Sequence, residues 1–348
     1  MRVIDVEHHF VTPLYTETLR ANKTAPRAED GKGVAYFEDT WVPTPPAGPG
    51  RKLADMGEGR IREMDEAGID LAMLSLTAPG VEPFEPAVST RVARDANDRL
   101  AEYVAAYPDR LDGWATVPVR DHEESVKELE RCVNELGFKG WHTHSNFGDS
   151  YLDEKRYWPL LAKVEELGVP IYLHPTAPMI PELRTFGYCL AGPTFGFGVE
   201  VMYVFLRMIH RGVFDEFPKL KIILGHFGEA IPFLLDRVDT AYRQGYSNPR
   251  PEVGPGSAEP ASYYVRKHLW VTSSGNYLPA AFHCTREALG VDKMLLGTDY
   301  PFEQLRTGVD FLRELPISGD EMTRICESNA VELLRLSDGP EVTAVSLR

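Results

Sequence analysis

Short hydrophobic runs recur along this chain, and most follow a stretch of helical spacing that ends in glycine or proline. The first run, Val3-Ile4-Asp5-Val6-Glu7-His8-His9, reads as a buried strand that ends in three polar side chains. Residues 59–67 place Ile61 and Met64 on one helical face, Gly68 stops them, and Ile69 to Leu76 read as the next strand. The rhythm repeats through helix 90–106 and strand 113–119, helix 121–136 and strand 138–144, helix 156–167 and strand 169–174, and helix 198–212 and strand 220–226. Helix 229–243 and a Pro/Gly-rich connection at 246–260 lead to strand 269–273, and helix 278–288 leads to strand 293–299. Helices at 303–315 and 319–336 then close the domain before a weakly patterned tail.

Eight strands alternating with helices imply parallel pairing and predict an α/β fold, a (β/α)8 TIM-like barrel forming one domain over 1–348. The rival, an open doubly wound sheet, calls for a GxGxxG turn after the first strand, and none is there. Residues 12–58 interrupt the rhythm. They are rich in Pro, Gly and polar residues, with the run 41–50 reading Trp-Val-Pro-Thr-Pro-Pro-Ala-Gly-Pro-Gly. A segment of this length predicts a long insertion after the first strand, a partly ordered lid over the mouth of a site.

Composition changes the picture in one respect. With a formal net charge of -15 the chain is acidic, which argues against a nucleic-acid or acidic-membrane partner. Cys132, Cys189, Cys284 and Cys326 form no CxxC pair, so neither a disulfide framework nor a zinc knuckle is expected. No basic stretch followed by an apolar one opens the chain and no window has the apolar length of a membrane span, so the expectation is a soluble cytoplasmic protein.

In a barrel of this kind chemistry sits at the C-terminal ends of the strands. Glu7 and His9 end the first predicted strand, His174 the fifth, His226 the sixth and Asp299 the eighth. Side chains alternate along a strand, so Glu7 and His9 share a face while His8 points away and is most simply structural. Taken singly, each strand-end histidine reads as a hydrogen-bonded structural residue. Together, around one mouth, imidazoles and carboxylates make a mixed nitrogen and oxygen donor set for a divalent ion.

On these residues the sequence resembles the amidohydrolase superfamily, in particular its nonoxidative decarboxylases of γ-resorcylate, 2,3-dihydroxybenzoate, 5-carboxyvanillate and aminocarboxymuconate semialdehyde. The resemblance rests on Glu7-x-His9, on Gly192-Pro193-Thr194-Phe195 before a helix, on Leu224-Gly225-His226-Phe227-Gly228-Glu229 with Arg237 beyond it, and on the run 297–303, Gly-Thr-Asp-Tyr-Pro-Phe-Glu. It implies one divalent ion, Mn2+ with Zn2+ as the alternative, held by Glu7, His9, His174 and Asp299. It also implies His226 and Glu229 as a proton-handling pair, and a homodimer or homotetramer. The expected reaction is decarboxylation of an ortho-hydroxylated benzoate, with Asp299 protonating the ring carbon. Arg237 is the expected partner of Glu229 or of the substrate's anionic groups, and Phe195, Tyr300 and Phe302 are candidates to wall the ring, each with an ordinary core or surface role as the plain alternative. The rival in the same superfamily is a hydrolase of a lactone or cyclic amide; a noncatalytic metal-binding barrel is a third reading. Two departures stand out. The fourth strand carries Lys139 only near its start, so no lysine is placed to bridge two metals, and it ends in His142-Thr143-His144-Ser145-Asn146. Both histidines face one side, where hydrogen bonding to substrate is a simpler role than metal ligation.

Overall fold

The computed structural model describes residues 1–42, 49–245 and 257–337; the proline-rich run at 43–48, most of the connection after helix 229–243 and the tail from 338 lie outside the described residues. Strand β1 (Ile4–Phe10) is buried throughout. After it the chain forms a small antiparallel sheet of β2 (Arg27–Glu29), β3 (Gly33–Phe37) and β4 (Thr40–Val42). It then alternates helices with β5 (Leu71–Leu76), β6 (Leu111–Gly113), β7 (Trp141–His144), β8 (Ile171–His174), β9 (Ile222–Leu224), β10 (Leu269–Thr272) and β11 (Met294–Leu295).

Parallel pairing runs β1-β5-β6 along one arc and β7-β8-β9-β10-β11 along the other. The arcs meet at two seams: Ala115 pairs with Trp141, and His8 pairs with Tyr300 just beyond β11. At the second seam the Val6 amide donates to the Leu296 carbonyl at 3.0 Å and the His9 amide to the Tyr300 carbonyl at 2.7 Å. Eight parallel strands thus close on themselves, as the alternating pattern predicts. Strands covered on both faces need apolar side chains at nearly every position, which is why β5 reads Leu-Ala-Met-Leu-Ser-Leu and is buried along its whole length. Inside one end of the barrel, Ile4, Val6, Leu71, Met73, Trp114, Tyr172, Ile223 and Leu295 form a plug under Ala330, Leu333 and Leu334. The polar strand ends lie at the opposite mouth.

Two expectations need correction, and the insertion at 12–58 gains detail: its described residues include a helix (Pro13–Ala21), the β2-β3-β4 sheet and a short helix (Pro49–Ala54). Thr12 caps the first of these helices by accepting from the Tyr15 amide, with Pro13 in the opening turn. The third barrel strand pairs earlier than residues 113–119, because the ladder at Leu111–Gly113 gives way to a single bridge at Ala115. Helix 229–243 is two pieces, Ile231–Val238 and Thr240–Arg243. Its predicted start lies in a turn where His226, Phe227 and Glu229 hold φ of 53°, 57° and 56°. Such a left-handed backbone cannot propagate a right-handed helix. Among the described residues no helix is long and apolar enough to cross a membrane.

Candidate metal centre and active site

The barrel brings Glu7, His9, His174 and Asp299 together, with one donor atom of each lying within 4.8 Å of the others. Glu7 and His9 share the inner face of β1, His174 ends β8, and Asp299 follows β11 with φ 58°. A left-handed backbone in a residue other than glycine is strained, and strain of this kind collects at functional sites. Asp5 holds this corner. Its carboxylate accepts from the Thr298 hydroxyl at 2.5 Å, the Thr298 amide at 3.1 Å and the Glu7 amide at 3.1 Å, and the β1 pairing register shifts just after it.

The hydrogen bonds behind the two imidazoles fix which nitrogen faces the centre. The Pro175 carbonyl can only accept, so the His174 Nδ1 2.8 Å from it carries the proton and Nε2 is left with a lone pair. The Ser75 hydroxyl donates to the His8 carbonyl, so it accepts from His9 Nδ1 at 3.0 Å, and His9 Nε2 also presents a lone pair. These lone pairs confront carboxylates: His9 Nε2 lies 2.9 Å from Asp299 Oδ1, and His174 Nε2 lies 3.9 Å from Glu7 Oε1. Glu7 Oε1 and His174 Nε2 are both buried with no hydrogen-bond partner. Acceptor facing acceptor in a buried site is unfavourable without a cation between them, so these residues fit a divalent ion. Burial, followed by the neighbouring Asp299, raises the Glu7 pKa, while burial holds His174 well below the ordinary histidine range. A neutral imidazole is the form a metal requires.

Around the four lie supports that sequence reading missed. Thr272 donates to Glu7 Oε2 at 2.9 Å and in turn meets the Tyr172 hydroxyl at 3.2 Å. His8 points away from the centre, as alternation predicts, and bonds Asp5 at 2.9 Å; its other nitrogen faces the buried Arg60, which also donates to the His9 carbonyl at 2.7 Å. Nothing in the spacing of Arg60, Ser75 or Thr272 signals these roles, since each partner comes from a distant part of the chain.

His226 Nδ1 lies 2.7 Å from Glu229 Oε1. Burial alone would depress this imidazole, but Glu229, Glu7 and Asp299 outweigh it and push it up to about 10. Of the expected wall residues, Phe302 has its ring 5.8 Å from that of His9. Tyr300 turns the other way: it pairs with His8 along the seam, so its ring packs on His8 at 5.0 Å and under Arg60 at 4.8 Å. Phe195 is exposed at the start of helix Gly196–Arg211. Arg237 is exposed and forms no ion pair among the described residues, Glu229 included. His144 is buried beside His174, with ring centroids 5.7 Å apart, and the His142 ring lies 5.2 Å from each of them, with a nitrogen within 4.8 Å of those of His9 and His174. From the insertion, the Tyr36 hydroxyl donates to the Ala78 carbonyl at 3.2 Å, and its ring lies tilted against that of Tyr188 at 5.8 Å.

The amidohydrolase family profile matches residues 4–336. The chain is 38% identical over 297 residues to gamma-resorcylate decarboxylase of Polaromonas sp. (strain JS666), an alignment covering 82% of this chain and 89% of that one. The 5-carboxyvanillate decarboxylase of Novosphingobium aromaticivorans, solved with manganese and 4-hydroxy-3-methoxy-5-nitrobenzoic acid, superposes with a TM-score of 0.87 at 31% identity, over 97% of this chain and 96% of that one. The dihydroxybenzoic acid decarboxylase of Polaromonas sp. JS666, solved with manganese and the inhibitor 2-nitroresorcinol, superposes with a TM-score of 0.81 at 33% identity, over 96% and 97%. The chain belongs to the amidohydrolase family, in its branch of nonoxidative decarboxylases.

Proposed function

We propose that this protein is a metal-dependent carboxy-lyase that decarboxylates an ortho-hydroxylated benzoate: γ-resorcylate, 2,3-dihydroxybenzoate or a related acid. The observation that carries the proposal is the set of two imidazole lone pairs facing two carboxylates at one barrel mouth, in a chain whose relatives are named as decarboxylases of such acids. When bound, a divalent ion supplies the positive charge that orients the substrate and favours its anionic form. Glu7, His9, His174 and Asp299 hold it. Mn2+ is the ion we favour, from the two neighbours solved with it, and Zn2+, which accepts the same donors, is the alternative.

Removing the carboxylate requires a proton at the ring carbon that bears it. Asp299, in its protonated form, delivers that proton; the new C–H bond forms, the bond to the carboxylate breaks with its electron pair returning to the ring, and carbon dioxide leaves. His226, with Glu229 behind it, restores the proton to Asp299. Phe302 flanks the ring, and the family likeness alone assigns the exposed Phe195 and Arg237 to the substrate. Tyr36, bonded to the Ala78 carbonyl and set beside Tyr188, supports reading the insertion as a lid at the mouth. The assembly we propose on the family likeness is a homodimer or homotetramer, with exposed Phe186 and Phe233 available to an interface.

The test is to incubate the manganese-loaded protein with 2,6- and 2,3-dihydroxybenzoate and follow carbon dioxide release. We expect turnover of at least one. No release across a panel of hydroxybenzoates, together with hydrolysis of a lactone or cyclic amide, would replace this reading with the hydrolase.

A further inference from the structure

Strand β7 sends His142 and His144 to the same face, their rings 5.2 Å apart, beside His174 at the barrel mouth. Behind His144 stands Glu82, from the loop after β5, and the two side chains are 2% and 4% exposed. Glu82 Oε1 lies 3.0 Å from His144 Nδ1, and it also accepts from the Thr143 hydroxyl at 3.0 Å and the His144 amide at 3.2 Å. Room for this pair comes from Gly80 (φ +69°), where any Cβ would collide with both the Glu82 carboxylate and the His144 ring. A carboxylate only accepts, so Nδ1 carries a proton and Nε2 is the ring nitrogen left for a partner. That Nε2 is buried and without a partner, and so is Nε2 of His142. A buried acceptor left unmade is costly, and it is retained where a ligand's donor completes it.

Resting on the decarboxylase reading above, we propose that His144, oriented by Glu82, accepts a hydrogen bond from a second ring hydroxyl, so that the pocket selects dihydroxylated over monohydroxylated benzoates. His144 is the specificity-determining residue and Glu82 a positioning residue acting through it. A second carboxylate fits this wall poorly, because a lone pair backed by a buried anion repels it; a neutral hydroxyl is the complementary group. The selectivity arises from the mismatch: a monohydroxylated ring leaves Nε2 unpaired, and a site built to bond a hydroxyl rejects the analogue lacking it.

The experiment compares 2-nitroresorcinol with 2-nitrophenol, probes that differ by one hydroxyl, titrated calorimetrically into the manganese-loaded enzyme. The wild type is expected to prefer 2-nitroresorcinol by roughly tenfold or more, the worth of one buried hydrogen bond. His144→Phe is expected to bring the two affinities to near equality, because the second hydroxyl then has no partner to gain and its absence leaves none unpaired. Glu82→Gln keeps it, since the amide oxygen still accepts from Nδ1, whereas Glu82→Ala loses it. Manganese content and melting temperature are measured for each variant, and Glu82→Ala carries the test if His144→Phe does not fold. An unchanged ratio in His144→Phe, equal weakening of both probes, or a Glu82→Gln enzyme as unselective as Glu82→Ala overturns the proposal. A wild type that shows the preference yet releases no carbon dioxide from any dihydroxybenzoate removes the decarboxylase reading and leaves this subsite standing.

Discussion

Asp299 is held in place by its neighbours more than by its own side chain. The residue before it, Thr298, is tied to Asp5 through both hydroxyl and amide, and the Asp299 carbonyl accepts from the Phe302 amide at 2.9 Å. Asparagine tolerates the left-handed backbone that Asp299 adopts and is close to it in size. Asp299→Asn is therefore expected to keep its circular dichroism spectrum and melting temperature but to lose the acid, with carbon dioxide release falling roughly 10³-fold, within the range that general acids contribute. Parallel loss of turnover and of folded structure would instead make Asp299 a structural residue. At this scale the sequence displays donors but not what fixes them. Glu7, His9, His174, His226 and Asp299 are legible because each ends a hydrophobic run. Asp5, Ser75, Glu82 and Thr272 are not, because their meaning depends on partners such as Thr298, 293 residues from Asp5, that only the closed barrel brings near.

The repeating strands and helices are easier to read than the insertion, and repetition explains why. A helix such as Glu58–Ala67, stopped by Gly68 in the left-handed conformation, carries enough periodic positions to declare itself. The strands of the β2-β3-β4 sheet are no shorter than β6, β9 or β11, but no helix-strand repeat brackets them and their alternation is lost among prolines and glycines. One local signal was available in the insertion: Thr12 followed by Pro13, a cap and a first-turn proline. Thr12 does more than cap. Its hydroxyl donates to Asp95 Oδ2 at 2.6 Å, pinning the insertion's helix to helix Pro86–Ala106. Thr12→Ala is expected to lower the unfolding free energy in urea by about 1 kcal/mol, the usual cost of a lost cap, with Thr12→Ser restoring it. If serine fails to restore it, the methyl group's packing is what matters there, and the cap is incidental.

At the scale of the molecule, the barrel gathers its charge frustration at one end. The plug at the far end is apolar, while the mouth packs Glu7, Asp299 and imidazole lone pairs against one another. An ion that binds the folded barrel and not the unfolded chain stabilises it by an amount set by concentration over affinity, about 2.7 kcal/mol at a hundredfold excess over Kd. Manganese added to stripped protein is thus expected to raise the melting temperature, and a chelator to reverse the rise. The pH dependence follows from the proposed ligands. Each must be deprotonated to bind, and Glu7, whose pKa burial and Asp299 already raise, takes up a proton before an ordinary carboxylate does as pH falls. The manganese-induced rise should therefore shrink as pH drops from neutral through the carboxylate range, in a differential scanning series with and without ion. Glu7→Gln should abolish most of the rise at every pH, because an amide oxygen carries no charge for the ion to neutralise. A rise that survives Glu7→Gln unchanged would place the ion elsewhere, with His9, His142 and His174 the next set of donors within reach of one another.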